Sequence, residues 1–203
     1  MTTDLHGPLS GYAERLHAAI GAEHHVASPL GAWLLLALCA PAASDRATAE
    51  GLANVLGTDP DTAAETARAL LEAPHPLVPS ATAVWHRPEW DTGGLTGWRD
   101  ALPTTTDMGV LPDQAGLDAW AREHTLGLIE RFPLRVRPDV VLALASALAT
   151  RISWADPFEV ADADALGAGS AWTGRLRRVL RSPRRGHRCA IVATARAGDV
   201  IVH

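Results

Sequence analysis

Lysine is absent from the 203 residues, and all 18 basic side chains are arginine. A phosphate loop of the form G-x-x-x-x-G-K-[ST] is therefore excluded. With the abundance of alanine, the arginine bias reads as base composition of the source genome and carries no functional signal. Only two cysteines are present, Cys39 and Cys189. They lie far apart and form no C-x-x-C unit, which argues against a disulfide framework or a cysteine metal site. Cys39, inside an apolar run, reads as a buried free thiol. There is no G-x-S-x-G elbow and no H-E-x-x-H helix, so the familiar signatures of a serine hydrolase or zinc protease are missing. The N-terminal MTTDLHGPLSGYAE has neither a basic region nor an apolar one of secretory type, which predicts a cytoplasmic chain. The longest apolar runs are too polar at one end, or too short, to span a bilayer, and no membrane partner is expected.

The chain does have the means to build a core. Hydrophobic residues make up 47% and charged residues 20%, close to the globular average. Seven tryptophans supply the large pieces where tyrosine and phenylalanine are scarce. The length suits one large domain, read here as a single unit over 1–203. The net charge of −5 is unevenly spread. Arg175, Arg177, Arg178, Arg181, Arg184, Arg185, Arg188 and Arg196 follow position 174, opposed there by Asp199, so residues 1–174 are strongly acidic.

Residues 1–78 read as mainly helical. Leu9, Tyr12, Leu16 and Ile20 recur at helical spacing. Ser28 before Pro29 is an N-cap followed by a first-turn proline, and the helix it opens is apolar on all sides, which predicts a core helix enclosed by protein. Ser44 or Asp45 caps a third helix that Gly57 stops, and Asp59 with Pro60 opens a fourth. His24 and His25 are adjacent, but no third ligand at matching spacing accompanies them.

Residues 79–158 read as sheet strands with a covering helix. From Ser80 to His86 apolar and polar residues alternate until Pro88 breaks the run. A short helix around 95–102 and an extended piece around 108–111 follow. Leu117, Trp120, His124 and Leu128 mark another amphipathic helix, with His124 read as a satisfied core histidine. The run Asp139 to Phe158, DVVLALASALATRISWADPF, is predicted to be a central strand buried on both faces, limited by Pro138 and Pro157. Residues 159–203 read as an acidic small-residue linker, then short strands around 179–180, 189–193 and 200–202. Asp162 and Asp164 alternate, but the closing Glu of an EF-hand is missing. The arginine cluster is read as a solvated face or hairpin turn. A nucleic-acid-binding patch is its alternative, weakened by the lack of interleaved aromatics.

Four stretches, in this order, resemble the N-terminal half of a serpin, of actinobacterial type. His25-Val-Ala-Ser28-Pro29-Leu30 resembles the entry into the family's buried helix, N-V-x-x-S-P. Arg46 to Leu52, with Leu56-Gly57, resembles the next helix and its end. Ala119-Trp120-Ala121 with Thr125-Leu126-Gly127-Leu128-Ile129 resembles I-N-x-W-V with T-N-G-x-I. Val141 to Phe158 resembles V-L-x-N-A-x-x-F-x-x-x-W-x-x-P-F, with Trp154, Pro157 and Phe158 in place.

The resemblance implies an α+β fold, helices packed on a large mixed sheet that opens to admit the protein's own cleaved loop. It implies shutter positions at Ser28, Pro29 and Ser146, a breach position at Trp154, and family-motif positions at Trp120, Thr125, Gly127, Pro157 and Phe158. Three positions depart from the pattern: Ser146 stands for Asn, Gly31 for the second Ser, and Leu126 for the Asn of T-N-G. The family's reactive loop lies towards its C-terminus, beyond the part these residues resemble. The expectation is a serpin-like chain, incomplete at its C-terminus, that is not an enzyme, uses no cofactor and does not trap a protease alone. Its expected partner is a serine protease or a chain that completes the sheet. A structural or partner-dependent interaction protein is the alternative, and an extracellular location is the alternative to the cytoplasm.

Overall fold

The structure is a computed structural model and describes residues 5–21, 27–75, 78–90, 96–149, 159–170, 176–181, 190–194 and 198–202. They fall into two compact units, Met1–Ala149 and Thr150–His203, where the sequence reads as one domain.

The first unit begins with four helices, α1 (His6–Ile20), α2 (Pro29–Cys39), α3 (Arg46–Leu56) and α4 (Pro60–Glu72). Their ends follow from local chemistry. Ser28 Oγ accepts from Gly31 N at 3.1 Å at the head of α2, with Pro29 in the first turn. Asp45, rather than Ser44, caps α3 by accepting from Thr48 N, and Gly57 stops it at φ 72°. A left-handed φ of this kind suits glycine, which has no Cβ to clash. Asp59 accepts from Asp61 N and Thr62 N at the start of α4. No residue of α2 is exposed, as its all-round apolar sequence predicts. Its Trp33 is fully buried and donates Nε1–H to Leu56 O at 3.1 Å, which ties α2 to the end of α3.

The remaining elements of this unit are β1 (Ser80–His86), α5 (Thr96–Asp100), β2 (Thr106–Val110), α6 (Gln114–His124) and β3 (Leu142–Leu148). The strands form a mixed sheet in the order β2-β1-β3. β2 runs parallel to β1, with Thr82 opposite Thr106; β3 runs antiparallel, with Ser80 opposite Leu148 and His86 opposite Leu142. One face of the sheet meets the helical core of Tyr12, Trp33, Leu34, Leu38, Leu56, Leu71 and Val84. The other face, with Ala83, Trp85, Ala143 and Ala145, packs against Leu117 of α6, Trp120 and Phe132.

Two expectations are corrected here. Among the described residues the middle strand is β1, whose Thr82 to Trp85 are buried on both faces, while β3 has one described neighbour. The apolar run from Asp139 hid a period of two: Ala143, Ala145 and Ala147 are buried, and Leu142, Leu144, Ser146 and Leu148 are half-buried on the opposite face. The described strand also covers only seven residues of the run, because Val140 N closes a turn onto Arg137 O and Arg87 N takes Val141 O outside the ladder. Residues 150–158 lie outside the described residues. The second correction concerns α6, which stops at His124 and leaves Leu128 73% exposed. Thr125 N bonds Ala121 O, and the chain then turns left-handed at Leu126 (φ 58°) and Gly127 (φ 79°), taking Leu128 off the helical face.

In the second unit, β4 (Glu159–Asp162) pairs antiparallel with β5 (Arg178–Arg181), and β6 (Ala190–Thr194) pairs antiparallel with β7 (Gly198–Val202). A 3₁₀ turn spans Ala163–Leu166. The expected linker from 159 is thus a strand and a turn. Its apolar pair Val160-Ala161 lies opposite Val179-Leu180, a partner too distant in sequence to be read locally. Of the arginine cluster, Arg177 and Arg178 are described and exposed, the backbone of Arg181 lies in β5, and Arg175, Arg184, Arg185 and Arg188 lie outside the described residues, as do Cys189, His24 and His25. No helix among the described residues is long and apolar enough to cross a membrane.

Candidate functional site

Two of the sequence-predicted shutter residues, Ser28 and Ser146, converge on one point. A Cβ built on Gly31 would lie 3.1 Å from Ser28 Oγ, 3.1 Å from Ser146 Oγ and 3.1 Å from Leu148 Cδ1. The two hydroxyl oxygens are therefore no more than twice that distance apart, one at the head of α2 and the other on β3. Their environments differ. Ser28 Oγ is engaged with Gly31 N. Ser146 Oγ is buried and has no hydrogen-bond partner, alone in this among the described buried side-chain atoms. Pro29 sits between them in sequence as the first residue of α2 and fixes its entry. A side chain at position 31 would thus meet Ser146 Oγ, so two separate departures in the sequence motifs are neighbours in the fold.

The motif residues Trp120, Thr125 and Gly127 are brought together at the C-terminal end of α6. Trp120 stands edge-on to Trp85 at a centroid distance of 5.2 Å and to Phe132 at 6.1 Å, forming an aromatic cover over the alanine face of the sheet. Its Nε1–H donates to Asp107 Oδ2 at 2.8 Å. His124 is half-buried rather than a core residue, because its Nε2 lies 3.3 Å from the same Asp107 oxygen and its ring tilts against Trp120 at 4.7 Å. Thr125 is buried; its hydroxyl donates to Ala121 O at 2.7 Å and accepts from Ile129 N at 2.9 Å, so one side chain ends the helix and starts the next turn. Gly127 supplies the second left-handed residue of that turn. Trp154, Pro157 and Phe158 lie outside the described residues.

Three further features were not read from sequence. The buried hydroxyls of Thr82 and Thr106 bond each other at 2.9 Å across β1 and β2. Gln114 and Asp118 on α6 hold residues 132–136: Asp118 accepts from Phe132 N at 2.9 Å, and Gln114 Oε1 accepts from Val136 N at 3.1 Å. The hydrogen bond from Gln114, then that from Phe132 N, keeps the Asp118 carboxyl below the usual carboxylate range. Arg87 donates Nε–H to Val140 O at 2.8 Å and so fixes the approach to β3. The one local signal for any of these was a threonine among the apolar letters of β1.

No family model matches the sequence, and no curated protein matches it. Among solved structures the chain is similar to a loop C-sheet serpin polymer, with 21% identity, 68% of this chain and 41% of that one covered, and a TM-score of 0.55. It is similar to tengpin, a thermophilic serpin in the latent state, with 20% identity over 70% of this chain and 42% of that one, at a TM-score of 0.51. Reactive-loop-cleaved human thyroxine-binding globulin matches with 12% identity over 96% of this chain and 66% of that one, at a TM-score of 0.64. The chain spans under half the length of the first two. With helices packed on a mixed sheet and this likeness to solved serpins over most of its length, the chain has a serpin-like fold.

Proposed function

We propose that these 203 residues are a serpin-type scaffold that does not inhibit a serine protease by itself and does so only with a segment that completes the sheet, whether joined to it or supplied as a separate chain. The reading is supported above all by the partial match: most of this chain aligns with serpins, yet it covers only 41% and 42% of the first two structures. Trapping of a protease by loop insertion needs a sheet that opens and a loop to enter it. Ser146 offers a second line of support. Sheet opening between two stable states calls for polar groups satisfied in each, and here the buried hydroxyl beneath β3 is unsatisfied. Shutter roles for Ser28, Pro29 and Ser146 and a breach role for Trp154 belong to this proposal, as does the absence of catalysis.

Progress curves with trypsin-, chymotrypsin- and elastase-type proteases test it. An excess of the chain is expected to leave each hydrolysis rate constant in time. Time-dependent loss of activity with any of them would overturn the proposal. The neighbours include thyroxine-binding globulin in complex with thyroxine. A binding role without inhibition is therefore the second reading, favoured if the chain saturates with thyroxine and stays non-inhibitory even when a segment that completes the sheet is supplied.

A further inference from the structure

A cavity of about 400 Å³ opens on the helical side of the first unit, between the end of α2, the turn that follows it, α4 and α5. Leu38, Pro41 and Trp98 give it an apolar wall, and Ser44 and Arg68 line it as well. Its size is at the lower end of the roughly 300–1,000 Å³ of small-ligand clefts, and polar and apolar surface line it in about equal measure. Trp98 is tied to α2 through its Nε1–H, which donates to Leu38 O at 2.7 Å.

Arg68 makes the cavity selective. Its side chain is half-buried, and it makes no hydrogen bond or ion pair with any described residue. Glu65 and Glu72 stand on the same helix at the spacings that usually pair, three before it and four after it, yet neither forms a bridge to it. An arginine without a described partner, lining the same cavity as a tryptophan, suits a planar anion, because its guanidinium offers paired N–H donors matched to a carboxylate. We propose that this cavity binds a small aromatic or aliphatic carboxylate, with the anion on Arg68 and the apolar body against Trp98. The inference is independent of protease inhibition.

Titration calorimetry of the 203-residue chain with 2-naphthoate, and with uncharged 2-naphthamide as its control, tests this. Wild type is expected to show one saturable site that prefers the acid. Arg68→Gln should weaken the acid by roughly ten- to a hundredfold, the worth of one charge-assisted contact, and leave the amide within about twofold. Gly97 lines the same cavity, and a Cβ added there meets nothing within 4 Å. Gly97→Leu should therefore fill the cavity without disturbing the fold and remove binding of both compounds. Absence of saturable binding to wild type, equal affinity for acid and amide, or undiminished binding in Gly97→Leu would each overturn the proposal. The last result would place the ligand elsewhere, such as the apolar cavity beside Leu34 and Leu71.

Discussion

Ser146→Ala should stabilise the protein, although it deletes a side-chain atom from its interior. Ser146 Oγ is buried without a partner, and a buried hydroxyl in that condition costs about 1–3 kcal/mol. Removing it keeps the Cβ and the β3 backbone, and forfeits a few van der Waals contacts of the oxygen worth about 0.1–0.2 kcal/mol each. The net gain is about 1–2 kcal/mol. For a chain of this size each 1 kcal/mol moves Tm by roughly 2–4 °C. Ser28→Ala, on the other side of the same contact, should act in the opposite sense, because Ser28 Oγ caps α2 and losing it costs about 1 kcal/mol. Urea unfolding of the two variants beside wild type, read as midpoint shifts at constant slope, measures both. A Ser146→Ala protein that is less stable than wild type would show that the hydroxyl is bonded and would refute the reasoning about Gly31.

Other consequences are more local. Leu126→Asn should raise stability by about 1 kcal/mol in the same unfolding assay, because Leu126 is held at φ 58°, where Asn is tolerated and leucine is strained. A loss of stability would mean that half-exposed Leu126 is packed more tightly than its surface indicates. Trp120→Phe keeps an aromatic ring over Trp85 but removes the bond to Asp107, and should cost about 1 kcal/mol. That cost should shrink in an Asp107→Ala background, and a double-mutant cycle with no coupling would contradict the contact. Burial pushes the Cys39 thiol up to about 11. With a folded value above the unfolded one, its contribution to stability is complete below about pH 9 and lost as pH rises through about 11. Iodoacetamide should therefore label Cys39 slowly at neutral pH in native protein and quickly once the protein is unfolded.

Much of the first unit is legible because its punctuation is local chemistry. Ser28-Pro29, Asp45, Gly57 and Asp59-Pro60 each fix a helix end within four residues of themselves, and the helices begin and stop there. The limits of legibility lie where a partner far along the chain decides. β1 is the middle strand because Thr106 and Leu148, 24 and 68 residues after their respective partners Thr82 and Ser80, pair on either side of it. The run from Asp139 is uniformly apolar as text, but in space its leucines face α2 and its alanines leave room for Trp85 and Trp120. Leu128 has the right spacing for α6, yet the Thr125 hydroxyl and two left-handed residues end the helix before reaching it. Gly31 and Ser146 are visible in sequence as unrelated departures from a motif. The fold places them side by side, where a Cβ on Gly31 would lie 3.1 Å from the unsatisfied Ser146 hydroxyl.

The most direct test of the proposed scaffold role is to incubate the 203-residue chain with a molar equivalent of a serine protease and resolve the products by denaturing gel and intact mass. Cleavage fragments, or intact chain, without any covalent species of combined mass is the expected result. An adduct that survives denaturation would contradict it, since it would mean that these residues already hold a loop and a sheet able to trap the enzyme.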